Sequence, residues 1–321
     1  MTGGTSPAAA SGSAPSPAPS PAPFGARLDA VFASRGHLCV GIDPHPYLLA
    51  DWGLSASADG ARSFGLAVVE AAAASGRAGI LKPQVAFFEA YGSAGFRALE
   101  EVLAAARDAE LLVIGDAKRG DIGSTNDGYA AAWLTAGSPL EVDALTVTAY
   151  TGVGALDGLF GVAEANGKGV FVLSATSNPE SHGLQRARPG SGGGAALGTG
   201  IGPGTGTGAA GGTVATLIAA EVAARNTDRT RLGDFGLVLG ATKRLDDYGF
   251  TAEALRGLST TPVLAPGFGF QGAEFSAIPH VFGPLAPDLV VSVSRSILQA
   301  GPDGLTAAIE AEAARLAEVI A

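Results

Sequence analysis

The sequence predicts an α/β protein whose strands close into a (β/α)8 barrel, a TIM barrel. Three observations carry that expectation. Eight short runs rich in Val, Ile and Leu recur along the chain, nearly continuous in apolar character, as strands buried on both faces should be. Alanine-rich stretches of helical character separate them, as at 63–74, 96–107 and 213–224. The whole pattern occupies roughly 250 residues, the usual span of such a barrel. An open, doubly wound parallel sheet would read similarly along the chain.

Taken in order, residues 1–23 are Pro, Ala, Ser, Gly and Thr after the initial Met. They lack the basic and apolar regions of a signal peptide and read as a disordered, extended tail. The strand-like runs follow at 37–43 (HLCVGID), 78–84 (AGILKPQ), 111–118 (LLVIGDAK), 144–149 (ALTVTA) and 169–176 (GVFVLSAT). Residues 186–212 then hold 12 glycines in 27 positions. Such a segment cannot recover its ordering entropy by burial, so it reads as a mobile insert. The last three runs are 235–242 (FGLVLGAT), 262–267 (PVLAPG) and 289–297 (LVVSVSRSI). Residues 24–321 are thus expected to form one barrel domain.

Charge and composition narrow the function. The 321 residues carry 20 basic and 30 acidic side chains, a formal net charge of −10. That balance repels nucleic acid and anionic membrane surfaces. The single cysteine, Cys39, precludes a disulfide framework, and its place within the first strand reads as core. No apolar run approaches the roughly 20 residues that cross a bilayer, so a cytoplasmic protein is expected. The four histidines, His37, His45, His182 and His280, show no metal-ligand spacing, and no metal site is expected. Only four of the 20 basic residues are lysine: Lys82, Lys118, Lys168 and Lys243. Lysine is a compact, tunable proton donor, which arginine is not.

In a parallel barrel the chemistry lies where strands end and the following loops begin. Charged residues collect there: Asp43 after the first run, Lys82 in the second, Asp116 and Lys118 at the end of the third, and Asp121 just beyond. Strand alternation places Asp116 and Lys118 on one face, with Ala117 opposite. Neighbouring strands about 4.8 Å apart bring Lys82 and Asp43 to the same mouth. A structural salt-bridge network is the alternative, but several charges at buried strand ends are costly scaffolding. After the seventh run, residues 266–272 (PGFGFQG) contain the G-x-G-x-x-G pattern of dinucleotide folds. The position is wrong for that use, which needs a first strand and an acidic residue about 20 positions later. In barrels the loops after strands seven and eight commonly hold a phosphate. Pro266, the glycines, Gln271 and Arg295 therefore read as a phosphate grip, with backbone N–H groups among its donors.

The run at 116–125 (DAKRGDIGST) matches a D-x-K-x-x-D-I signature, and GIDPHP at 41–46, LKPQVAFFEAYG at 81–92 and ATSNPE at 175–180 are equally specific. Together they resemble the orotidine 5′-phosphate decarboxylase family, in its bacterial type 2 branch as found in actinobacteria. The resemblance spans nearly all of 24–321 and touches seven of the eight strand ends. It departs at the tail, at the 186–212 insert, and at Ser294, where many relatives carry Gly. It implies decarboxylation of orotidine 5′-phosphate to UMP and carbon dioxide, the last step of UMP biosynthesis, with no cofactor. By the same resemblance Lys118 would protonate C6, Asp116 would lie beside the substrate carboxylate, and Asp43 and Lys82 would hold the ribose hydroxyls. Ser177 would contact the pyrimidine edge, and Gln271 and Arg295 the phosphate. Asp121 and Thr125 would cross a homodimer interface into the neighbouring site. Rival readings are a metal-dependent keto-sugar phosphate decarboxylase with a similar motif, a nucleotide-binding protein without catalysis, and an NAD-dependent oxidoreductase.

Overall fold

A computed structural model describes residues 22–189, 212–226, 228 and 231–320. Most of the expected tail (1–21) and insert (190–211) lies outside the described residues. Eight parallel strands follow the expected runs: β1 Leu38–Ile42, β2 Ile80–Pro83, β3 Leu112–Arg119, β4 Ala144–Thr148, β5 Gly169–Ala175, β6 Phe235–Leu239, β7 Val263–Pro266 and β8 Leu289–Val293. Each pairs with the next, and β8 returns to β1 with Val40 opposite Val293. The sheet therefore closes, and the doubly wound alternative falls. The eighth run stops sooner than expected, because its valine-rich part ends at Val293 and Arg295–Leu298 turns into a short helix.

The helices form where their ends are satisfied and one face is apolar. Helix Ala58–Ser75 starts at Ser57, whose side chain accepts from the Gly60 N–H, and ends at Gly76 in the left-handed region. Helix Val214–Ala223 opens on a Thr213–Thr216 capping box. Their buried faces pack on the outside of the sheet in one continuous core that includes Phe64, Val68, Leu99 and Leu103.

A second, smaller core fills the barrel itself: Cys39, Ile80, Leu112, Ile114, Ala144, Phe171, Val238, Leu264 and Val290. These are the inward positions of the pleat, which recur every second residue. Helix Phe24–Arg35 closes the N-terminal end, with Phe24 fully buried and meeting Phe171 edge to face at 6.0 Å. Gly169 permits that plug, because a Cβ there would stand 2.3 Å from the Phe24 ring. Cys39 is fully buried, and burial pushes its thiol up to about 12, so it is core as expected.

Candidate active site

The period that fills the barrel with apolar side chains places polar ones above them. Two residues beyond Ile80 is Lys82, two beyond Ile114 is Asp116, two beyond Ala144 is Thr146, and two beyond Val290 is Ser292. All four line a cavity of about 430 Å³ at the C-terminal mouth. That cavity also takes in Asp43, Lys118, Ser177, Pro266, Gln271 and Arg295, so eight of the ten residues expected in the site converge on it. Asp121 and Thr125 do not line it.

Asp116 is the centre of the array. Its Oδ2 accepts from Lys82 Nζ at 2.9 Å, and its Oδ1 from Lys118 Nζ at 2.6 Å and Thr146 Oγ1 at 3.0 Å. Gln84 braces the pair, its amide oxygen accepting from Lys118 Nζ at 3.2 Å and its nitrogen donating to the Asp116 carbonyl at 2.7 Å. Burial works against the charge on Asp116, but Lys82 and Lys118 outweigh it and hold the carboxyl well below the usual carboxylate range. Burial likewise disfavours the Lys82 ammonium, and Asp116 and Asp43 reverse that, holding it above the usual lysine value. Both groups stay ionised at neutral pH. The two lysines differ in access, for the Lys82 side chain is 7% exposed and that of Lys118 45%.

Lys118 reaches Asp116 by a different route from the one strand alternation suggests. Its φ is +48°, and the β3–β4 register shifts between Gly115 and Arg119. The left-handed residue sits at a bulge, with its N–H donating to Thr146 Oγ1 at 3.0 Å. Such a backbone is uncommon outside glycine, and bulges of this kind re-aim a side chain beside an active site.

At the other end of the cavity, Gly267, Gly269 and Gly272 all have positive φ, so the loop needs its glycines. Two of their N–H groups are committed within the loop, Gly269 to the Ala273 carbonyl and Gly272 to the Gly269 carbonyl. The charge there belongs to Arg295, whose guanidinium stacks 4.2 Å over the Phe270 ring. Of the remaining lysines, Lys168 pairs with Glu141 at 2.7 Å beside the start of β5, at the opposite end of the barrel.

Sequence reasoning missed Gln84, Thr146, His45 and Ser292 in this cavity. Three of these continue an inward pleat already marked by Lys82, Ala144 or Val290. His45 stands apart, packed against Tyr47 and Phe87 and held by burial below the usual histidine value. Asp121 is fastened in its loop by Asn126, which accepts from its N–H and donates to its carbonyl. Beside it Ile122 is 61% exposed, and Thr125 is exposed as well. Among the described residues, no cluster of three or more His, Cys, Asp or Glu has the makings of a metal site.

A closed parallel barrel with a fixed ammonium–carboxylate array in its C-terminal mouth defines a (β/α)8-barrel enzyme. The family model for orotidine 5′-phosphate decarboxylase and the HUMPS family matches residues 36–192. A Salinispora arenicola protein named orotidine 5′-phosphate decarboxylase is 46% identical over 293 residues, covering 91% of this chain and 95% of the relative. One of the same name from Streptomyces coelicolor is 44% identical over 280 residues, covering 87% and 91%. A solved structure assigned to that enzyme from Streptomyces avermitilis superposes with a TM-score of 0.81 at 41% identity, covering 94% and 97%. The chain belongs to the orotidine 5′-phosphate decarboxylase family.

Proposed function

We propose that this chain converts orotidine 5′-phosphate to UMP and carbon dioxide, in the last step of UMP biosynthesis, by direct decarboxylation. The C6–carboxylate bond breaks, its electron pair stays on C6, and Lys118 donates the proton that completes the product. A pair in the ring plane cannot delocalise into the π-system. It therefore needs a cation already in place, and a preorganised ammonium meets that need without a cofactor taking part. The observation that carries the reading is the Lys118 Nζ contact of 2.6 Å to Asp116, whose other oxygen is held by the buried Lys82. Asp116 can neither rotate away nor take up a proton at neutral pH, and Lys118 is the more accessible of the two cations.

The other roles follow the cavity. Asp43 and Lys82 hold the ribose hydroxyls, Ser177 meets the pyrimidine edge, and Pro266, Gln271 and Arg295 surround the phosphate. Arg295 has no ion-pair partner among the described residues, which suits a phosphate dianion. Asp121, in the loop after β3, and Thr125, in the first turn of the helix Gly123–Trp133, lie outside the cavity, and this supports their serving the site of a second copy in a homodimer. The working unit is the barrel of residues 24–321, acting in the cytoplasm. Among the described residues no helix is long and apolar enough to cross a membrane.

The test is to incubate the purified protein with orotidine 5′-phosphate in the presence of EDTA and follow the loss of its ultraviolet absorbance. Full turnover with UMP as product is expected. Activity abolished by EDTA and restored by magnesium would move the chain to the metal-dependent reading. Lys118→Ala should lower kcat at least about a thousandfold, as befits a group that is both proton donor and fixed charge.

A further inference from the structure

The seam where β8 meets β1 carries a contact that the array around Asp116 does not use. Ser294, immediately after β8, donates from Oγ to Asp43 Oδ2 at 2.5 Å, across the closing edge of the barrel. The other oxygen of the same carboxylate, Oδ1, is shielded from solvent and has no hydrogen-bond partner. Both residues line the cavity. Room for the serine comes from the opposite strand. At Gly41 a Cβ would lie 2.7 Å from the Ser294 Cβ and 3.0 Å from its Oγ, so a larger residue there would expel the hydroxyl.

We propose that Ser294 is a positioning residue for the reaction: its hydroxyl fixes the rotation of the Asp43 carboxylate in the cavity wall, so that the orientation in which Asp43 meets a sugar hydroxyl of the substrate is set before the substrate arrives. The inference rests on the reading of Asp43 as the group that holds the ribose. The terminal torsion of an aspartate is soft and roughly two-fold, so an unrestrained carboxylate presents either oxygen over a broad range of angles. A short charge-assisted O–H···O bond removes that freedom before the ligand arrives. A shielded, unpartnered carboxylate oxygen is costly, so the bond that Ser294 gives the other oxygen is what holds the carboxylate in this rotation. Ser294 is also bonded in sequence to Arg295, so a single peptide link joins the partner of the sugar-binding carboxylate to the phosphate-binding guanidinium.

The test is a double-mutant cycle in the full-length protein with Ser294→Ala, Asp43→Ala and the pair. It reads kcat, KM and Tm with orotidine 5′-phosphate, and affinity by calorimetry for UMP and its 2′,3′-dideoxy analogue. Ser294→Ala should lower kcat/KM about tenfold, the lower end of what a hydrogen bond to a charged group contributes. Its Tm should stay near that of the parent. The loss should vanish in the Asp43→Ala background, and affinity for the dideoxy analogue should be unaffected. A tenfold loss that persists without Asp43, or that falls equally on the dideoxy analogue, would overturn the positioning role, as would unchanged kcat/KM. Normal activity of Asp43→Ala would instead overturn the reading of Asp43 itself. Should Ser294→Ala fail to fold, Ser294→Gly removes the same hydroxyl and runs the same cycle.

Discussion

Lys82 and Lys118 bind the same carboxylate, yet their substitutions should separate stability from chemistry. Lys82 is almost wholly buried, and removing it leaves Asp116 with half its compensation. Breaking a buried pair costs about 3–5 kcal/mol, and Thr146 and Lys118 should keep Lys82→Ala near the lower end. Lys118 is nearly half exposed, so Lys118→Ala should change unfolding free energy by less than about 1 kcal/mol while abolishing turnover. Urea unfolding beside a turnover assay makes the comparison, and equal destabilisation by the two would contradict it. The shift on Asp116 has a pH consequence of definite sign. Its carboxyl is held below the ordinary range in the folded chain, so the unfolded chain takes up the proton first as pH falls. The stabilisation is fully present above about pH 4, near the unfolded aspartate value, and is lost as pH drops toward the lower folded one. The stability difference between the parent and Asp116→Asn should therefore be constant from about pH 5 to 8 and shrink below pH 4. A difference that grows in acid would mean the carboxyl is not held in its charged form.

Elements explain which parts of the site were legible. Lys82 and Asp116 could be placed from the sequence because apolar runs mark strands, and a charge inside such a run has nowhere to go but the mouth. Thr146 and Ser292 obey the same alternation and were missed, because a hydroxyl in a β-rich run is ordinary and a lysine is not. Lys118 was placed correctly for an incomplete reason: its left-handed backbone comes from a bulge between β3 and β4, and nothing in D-A-K-R-G-D announces a register shift. Ser294 was legible only as a departure, since its partner Asp43 lies 251 residues away and meets it only when the barrel closes. The β7 and β8 loops carry their own prediction. With Arg295 stacked on Phe270 and free of carboxylate partners among the described residues, Arg295→Ala should raise KM about ten- to a hundredfold, the worth of a charge-assisted phosphate contact, with kcat much less affected. The N-terminal plug carries the opposite one. Gly169→Ala would push a methyl into the Phe24 ring and should cost about 1–3 kcal/mol of stability while leaving KM unchanged, because that end of the barrel does not face the cavity. Steady-state kinetics and thermal unfolding of the two variants test both statements.

On the scale of the whole molecule, the barrel separates what holds the fold from what the site does. The interior core and the Phe24 plug occupy one end, the charged array the other, and Asp121 and Thr125 stand outside the cavity, in the loop after β3 and the first turn of the helix that follows it. If that loop serves a second copy, each site takes Lys118 from one subunit and Asp121 from its partner. Two-fold symmetry then makes complementation a counting problem. In a mixed dimer of Lys118→Ala and Asp121→Ala subunits, one site receives both lesions and the other neither. Random pairing makes about half of all dimers mixed, and half of their sites intact, so about a quarter of parental activity should return from two inactive parents. Mixing the two variants under conditions that exchange subunits, followed by a decarboxylation assay, decides the matter. Recovery near that fraction supports a shared site. Absence of recovery with exchange demonstrated would confine Lys118 and Asp121 to one chain, and the loop after β3 would then have to fold over its own mouth for Asp121 to take part.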